Sequence, residues 1–366
     1  MHEATGDAIM FTRGNPAVEA LPIESLTDCA QSIFQKEGKV LFQYGHYSGY
    51  APLRQWIADN FNAKYEQVLL GNSSMEFFTF ITAVMLEEGD SVILENPSYD
   101  RAITAMKRSG ANVVGIPLDM DGINIEEFRA QVEKHRPKLF YTVPEFQNPT
   151  GVTTSLEKRK AIAELAKEYG FYIIEDAPYK ALRYYGEDIA SYKEMIPDQV
   201  FYINSFSKTM SPGIRVGFMI GPESKMPRLH KWSEDTYIHP SLDTEGIVYE
   251  FCTRGLLWPN IEKLKELYRP RLDGILSALD THLNGKAEWT KPQGGFFLSI
   301  FLPDNVDGKA VQEHAKEHGI VLSNGSGFFV DNRGDQFLRL PFCQMDPAET
   351  EEGIKRLAEV IDKYTR

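Results

Sequence analysis

Cysteine is scarce in this sequence: three residues in 366, Cys29, Cys252 and Cys343. Their odd number and wide spacing leave no disulfide framework and suit free buried thiols in a reducing, cytoplasmic compartment. No Cys/His pair recurs at ligand spacing, so no metal site is expected. No apolar run approaches the ~18 residues of a membrane span, so no membrane partner is expected. Basic residues fall short of acidic ones, 39 against 52, a net charge of −13. That balance argues against nucleic acid and against anionic lipid as partners. The opening stretch, MHEATGDAIMF, lacks the basic and apolar regions of a secretory signal, which again points to the cytoplasm. No GxGxxG follows a strand and no Walker lysine loop is present, so dinucleotide and P-loop readings lack their fingerprints. Repeats, low-complexity tracts and Gly/Ser linkers are missing too.

What remains is a long chain with ample core material: 42% hydrophobic residues, with 22 Phe, 17 Tyr and 4 Trp. Its length suggests one large α/β unit and a smaller one. Strand-like and helix-like runs alternate through the middle. SVILEN, ANVVGIPL, KLFYTV, FYIIED and QVFYIN read as strands; SYDRAITAMKRSG, NIEEFRAQVEKHRP and SLEKRKAIAELAKEYG read as helices, the last with a Ser155 cap and a Gly170 stop. This alternation predicts a mainly parallel sheet between helices. Towards the C terminus, GGFFLSIFL and QFLRLPF are strands among helices, a smaller α+β unit, and a long helix around IEKLKELYRPRLDGILSAL bridges the two.

In such sheets ligands bind at the carboxyl ends of the strands. Each exit here carries polar or aromatic groups. After VFYIN come Ser205, Ser207, Lys208 and, seven residues on, Arg215. A lysine desolvated beside apolar strands is a usable amine nucleophile. Two hydroxyls and a guanidinium beside it suit a phosphorylated aldehyde cofactor. A solvated surface turn explains the same four residues equally well. Asp176 ends an apolar strand; it reads as a helix N-cap or as the partner of a pyridinium nitrogen. Asn148 in FQNPTG reads as turn chemistry or as a donor to a phenolic ring oxygen, and Tyr179 as core or as a second donor there. Tyr99 reads as core or as a platform for a flat ring. Ser73 and Ser74, in GNSSMEFFTF, open a helix whose first N–H groups can hold an anion, or simply cap it.

Taken together, SFSKTMSPGIRVGF, PEFQNPTG, YIIEDAPYKAL, FQYGHYSGYAPLRQWIADNF, GGFFLSIFL and FLRLPF resemble the fold-type I pyridoxal-phosphate enzymes of the class I/II aminotransferase superfamily. The resemblance runs nearly end to end and is nearest in wording to the α-aminoadipate/kynurenine aminotransferase branch. It implies an α/β fold with a seven-stranded type of sheet in a large domain, 41–270, a small α+β domain, 271–366, and an N-terminal segment, 1–40, that completes the substrate cleft. It implies a homodimer binding pyridoxal 5'-phosphate and acting on an L-amino acid and a 2-oxo acid. Lys208 would carry the cofactor as an internal aldimine and shuttle the proton through a quinonoid, with Asp176 and Tyr99 completing the catalytic set. Ser73, Ser74, Ser205, Ser207 and Arg215 would hold the phosphate, with Tyr44 reaching it from the neighbouring subunit. Asn148 and Tyr179 would hold the ring oxygen, and Arg339 the substrate carboxylate, near Gly14 and Asn148. Three departures stand out. The phosphate loop has Asn72 where the branch usually has Gly, and Ser74 where it has Gln. Pro341 follows Arg339 closely, and His46 adds an imidazole near Tyr44 that is a candidate substrate contact. The same site could also serve a lyase or a cyclase resembling capreomycidine synthase.

Overall fold

A computed structural model describes residues 8–366. The first seven residues, which include most of the stretch read for a signal, lie outside the described residues. In chain order the strands are β1 (Ile9–Phe11), β2 (Val68–Gly71), β3 (Ser91–Asn96), β4 (Asn112–Asp119), β5 (Gly122–Ile123), β6 (Leu139–Thr142), β7 (Tyr172–Asp176), β8 (Val200–Ser205), β9 (Gly217–Ile220), β10 (Glu288–Trp289), β11 (Phe297–Phe301), β12 (Ile320–Leu322) and β13 (Phe337–Pro341).

The large sheet has the order β2-β9-β8-β7-β6-β3-β4-β5. It is eight strands rather than seven, because the two-residue β5 folds back on β4 as an antiparallel edge. From β8 to β4 every pairing is parallel. Helices on both faces cover these strands, so their residues are apolar on both sides. Leu139 and Tyr141 of β6 enter one core, and Phe140 enters the other. Helix Leu156–Tyr169 begins where Ser155 accepts from Lys158 N and ends at Gly170, at φ 76°, as its sequence predicts.

Strand β9 runs antiparallel to β8 and to β2. Two reversals restore the direction, so β2 ends on the same edge as the parallel strands. Register then sets Gly71, Gly217 and Ser205 side by side at that edge. All the strand exits read as functional therefore open onto one side of the sheet.

A second, antiparallel sheet has the order β10-β11-β13, and β1 pairs with β12 in a third. The pairing of β1 ties the N-terminal segment to the C-terminal part of the chain. Pro341 closes β13 on an edge of its sheet, where a missing N–H costs no ladder bond. Helix Leu257–His282 runs unbroken past residue 270 with Pro270 inside it. No linker separates the large and small parts there. Among the described residues no helix is long and apolar enough to cross a membrane.

Candidate active site

The strand exits surround a cavity of about 710 Å³. Of the fourteen residues singled out in the sequence, twelve line it. The two that do not are Tyr44 and His46. Tyr44 is 78% exposed, its ring edge-on to His239. His46 is exposed too, its ring against Tyr47 at 4.0 Å, with its Nδ1 accepting from Ser48 N. In a single chain, neither reaches the cavity.

Lys208 follows β8, and its Nζ donates to Gly14 O at 3.0 Å. Burial holds its ammonium below the usual lysine value; Cys343 opposes this, and the charges of Arg339 and Arg215 add to it. Gly14 leaves no room for a side chain, since a Cβ would sit 2.1 Å from the Phe297 ring. The carboxylate of Asp176 is buried at the end of β7. Tyr141 donates to its Oδ2 at 3.1 Å, while Oδ1 has no partner. Burial pushes this carboxyl up to about 7, against the lowering effect of the tyrosine hydroxyl. The same burial pushes Tyr99 up to about 12 and Tyr179 well above the usual phenol range, so both keep their protons as donors.

At the other end of the cavity is a hydroxyl and guanidinium cluster. Ser207 N donates to Ser205 Oγ at 3.1 Å, and the two hydroxyls are 2.8 Å apart. Arg215 Nη2 donates to Ser73 Oγ and to Asn72 O. Ser73 has φ 112°, a backbone region normally left to glycine, and Ser74 begins helix Ser74–Met85. A Cβ on Gly217 would lie 2.9 Å from both the Ser73 carbonyl carbon and the Ser74 nitrogen. Helix start, hydroxyls and Arg215 together could hold an anion.

Leu338 and Leu340 are buried in the core, so alternation along β13 turns Arg339 to the cavity, where it lies. Its fork reaches Asn148 Oδ1 at 3.1 Å, Ser323 Oγ at 3.2 Å and Thr12 O. The rings of Phe297 and Phe328 flank it at 4.8 and 4.5 Å.

The protein-family model described as aminotransferase class I and II matches residues 7–357. The chain belongs to the class I and II aminotransferases. It is 33% identical to aromatic-amino-acid aminotransferase 1 of Thermococcus litoralis, over 98% of this chain and 88% of that relative. A multiple substrate aminotransferase from Thermococcus profundus superposes with a TM-score of 0.94 at 32% identity, covering 99% of this chain and 93% of that one. The α-aminoadipate aminotransferase of Thermus thermophilus, solved with N-(5'-phosphopyridoxyl)-L-leucine, gives 0.93 at 30% identity, covering 98% and 93%.

The protein is a pyridoxal-phosphate-dependent aminotransferase of fold type I. The alternative of a lyase or cyclase finds no support among these relatives. The residues of this aminotransferase fit the cofactor: Asp176 Oδ1 is a buried acceptor without a partner, suited to a protonated ring nitrogen, and the Ser205–Arg215 cluster suits its phosphate. Sequence reasoning missed several contributors. Tyr141 was read only as part of a buried strand, although a buried tyrosine needs a hydroxyl partner, and that need was the available signal. Thr12 and Ser323 lie in irregular segments and Phe328 in a single 3-10 turn, where no periodicity points to them.

Proposed function

We propose that this aminotransferase moves an amino group between an L-amino acid and a 2-oxo acid, with Lys208 as the covalent, Schiff-base attachment point. The single observation that carries the reading is that Lys208 and Asp176, whose Oδ1 has no partner, line one cavity with the hydroxyl and guanidinium cluster. When bound, the cofactor supplies an electron-poor ring that stabilises negative charge on the substrate's α-carbon. Asp176 would keep the proton on the ring nitrogen. Tyr99 would lie against the ring, and Asn148 and Tyr179 would donate to its oxygen. Ser73, Ser74, Ser205, Ser207 and Arg215 would hold the phosphate. Lys208, with its depressed proton affinity, would accept and return the substrate's α-proton. Arg339 offers its planar fork to the substrate carboxylate beside Gly14.

Two further cations support an acidic substrate side chain. Arg13 and Arg101 line the cavity as well. Arg13 has no ion-pair partner among the described residues, and Arg101 is 3.7 Å from Asp100. The test is a panel of amino acids, with and without 2-oxoglutarate, read by mass spectrometry. Product that requires the 2-oxo acid, formed faster from acidic side chains than from their neutral isosteres, is the expected result. Product without it would move the reading to elimination or cyclisation. On the same panel, Arg339→Lys should lose roughly 10–100-fold in kcat/KM, the cost of about 1.5–3 kcal/mol for a broken charged hydrogen bond.

A two-fold homodimer in the cytoplasm completes the reading, and three unpaired buried thiols suit that reducing compartment. Phe42, Tyr44, Asn72, Tyr237 and His239 line a surface groove, and the Asn72 carbonyl at its edge already accepts from Arg215. Tyr44 of a second copy docked there would reach the phosphate of the first. Sedimentation velocity should give twice the chain mass, and fractionation should recover activity with the cytosol. A fully active monomer would remove Tyr44 from the site.

A further inference from the structure

Glu95 lies on β3, one residue before its end, and is 1% exposed without lining the cavity. Among the described residues it takes part in no ion pair. Burying a carboxylate without a cation is costly, and burial pushes Glu95 up to about 7. Its oxygens instead collect three donors: Thr142 Oγ1 at 2.5 Å, Val143 N at 3.2 Å and Gln147 Nε2 at 3.1 Å. All three belong to the end and exit of β6.

Gln147 passes the restraint on. Its Nε2 also donates to Pro97 O at 2.8 Å, two residues before Tyr99. Its Oε1 accepts from Thr150 N at 3.0 Å and Thr150 Oγ1 at 2.7 Å. Asn148 sits between these anchored residues. Its Oδ1 is taken by Arg339, which leaves the amide N–H groups free to donate into the cavity.

We propose that Glu95 is a positioning residue: through Gln147 it fixes the spacing of Tyr99 and Asn148, the side chains set against the cofactor's ring. The inference rests on the ring contacts proposed above. Glu95→Met removes both acceptor oxygens at similar size, so Val143 N and one Gln147 N–H lose their partner. Gln147→Met cuts the same relay from the other side and leaves Glu95 its bonds to Thr142 and Val143.

The experiment is a pH titration of the holoenzyme's cofactor absorbance. That absorbance changes when the proton on the nitrogen shared with Lys208 is lost. An amide N–H on the neighbouring ring oxygen takes up negative charge that otherwise retains this proton. Losing the contact therefore moves the transition to higher pH. Asn148→Ala should show that rise. Glu95→Met and Gln147→Met should each raise the transition by about 0.4–1 pH unit, the equivalent of one ordinary hydrogen bond. Neither should add a further shift in the Asn148→Ala background. An unchanged transition in a folded Glu95→Met or Gln147→Met protein overturns the proposal, as does a shift that persists without Asn148. If Glu95→Met does not fold, Gln147→Met decides alone. No shift in Asn148→Ala itself would overturn the ring contact first and the inference with it.

Discussion

Lys208→Ala is expected to lose at least about 10³-fold in turnover, the range for a lost general base that also anchors the cofactor. Lys208 is the one lysine among the residues lining the cavity. Burial lowers its proton affinity, so a larger share of the side chain is a neutral amine at pH 7 than for a lysine in water. Borohydride reduction of the holoenzyme should fix the cofactor on the peptide that carries Lys208. Label on another lysine would end this reading, and so would an alanine variant that keeps wild-type turnover.

Asp176→Asn separates function from stability. A neutral amide cannot hold the ring-nitrogen proton, so turnover should fall by roughly 10²–10³-fold. Stability of the cofactor-free protein should move the other way. The folded carboxyl is raised from 3.8 to about 7. Between those values the folded state binds more protons than the unfolded state, so stability falls as pH rises through that window. The asparagine variant is spared this loss. Without cofactor it should melt above the wild type at pH 8, and the gap should close by about pH 4. A variant that melts lower at pH 8 would mean that Asp176 is held by more than Tyr141. Near-normal turnover would remove it from the ring nitrogen.

The parts of the fold that sequence made legible share one property: each strand–helix unit is complete within some thirty residues. Periodicity, the Ser155 cap and the Gly170 stop are local signals, and they sufficed for β3, β4, β6, β7 and β8. Long-range pairing is not local. Nothing in VLLG announces that β2 pairs with β9, or that two reversals turn its end to the ligand side. Helices Ile23–Leu41 and Leu242–Thr253 went unread, although they pack on each other. The site shows the same division. Lys208 and Asn148 follow strands and Asp176 ends one, which is how they were found, whereas Arg339 came from the resemblance of FLRLPF to a family strand. Tyr44 and His46 belong to a surface loop, and one chain contains no geometry that would place them in a site. Tyr141 and Glu95 were hidden because polar side chains inside apolar strands look like ordinary strand residues until their partners are known.

The unusual wording of the phosphate loop has a plain consequence for how this sequence can drift. The loop is located by main chain packed on main chain: Gly217 brings the sheet edge against the Ser73–Ser74 peptide, where a methyl group would not fit. The donors it would offer an anion include the peptide N–H groups at the helix start, and these belong to no particular side chain. Substitution at positions 72 and 74 therefore leaves the donors where they are, and so Asn72 and Ser74 can replace the usual Gly and Gln. The place of the loop therefore depends on a glycine more than 140 residues further along the chain.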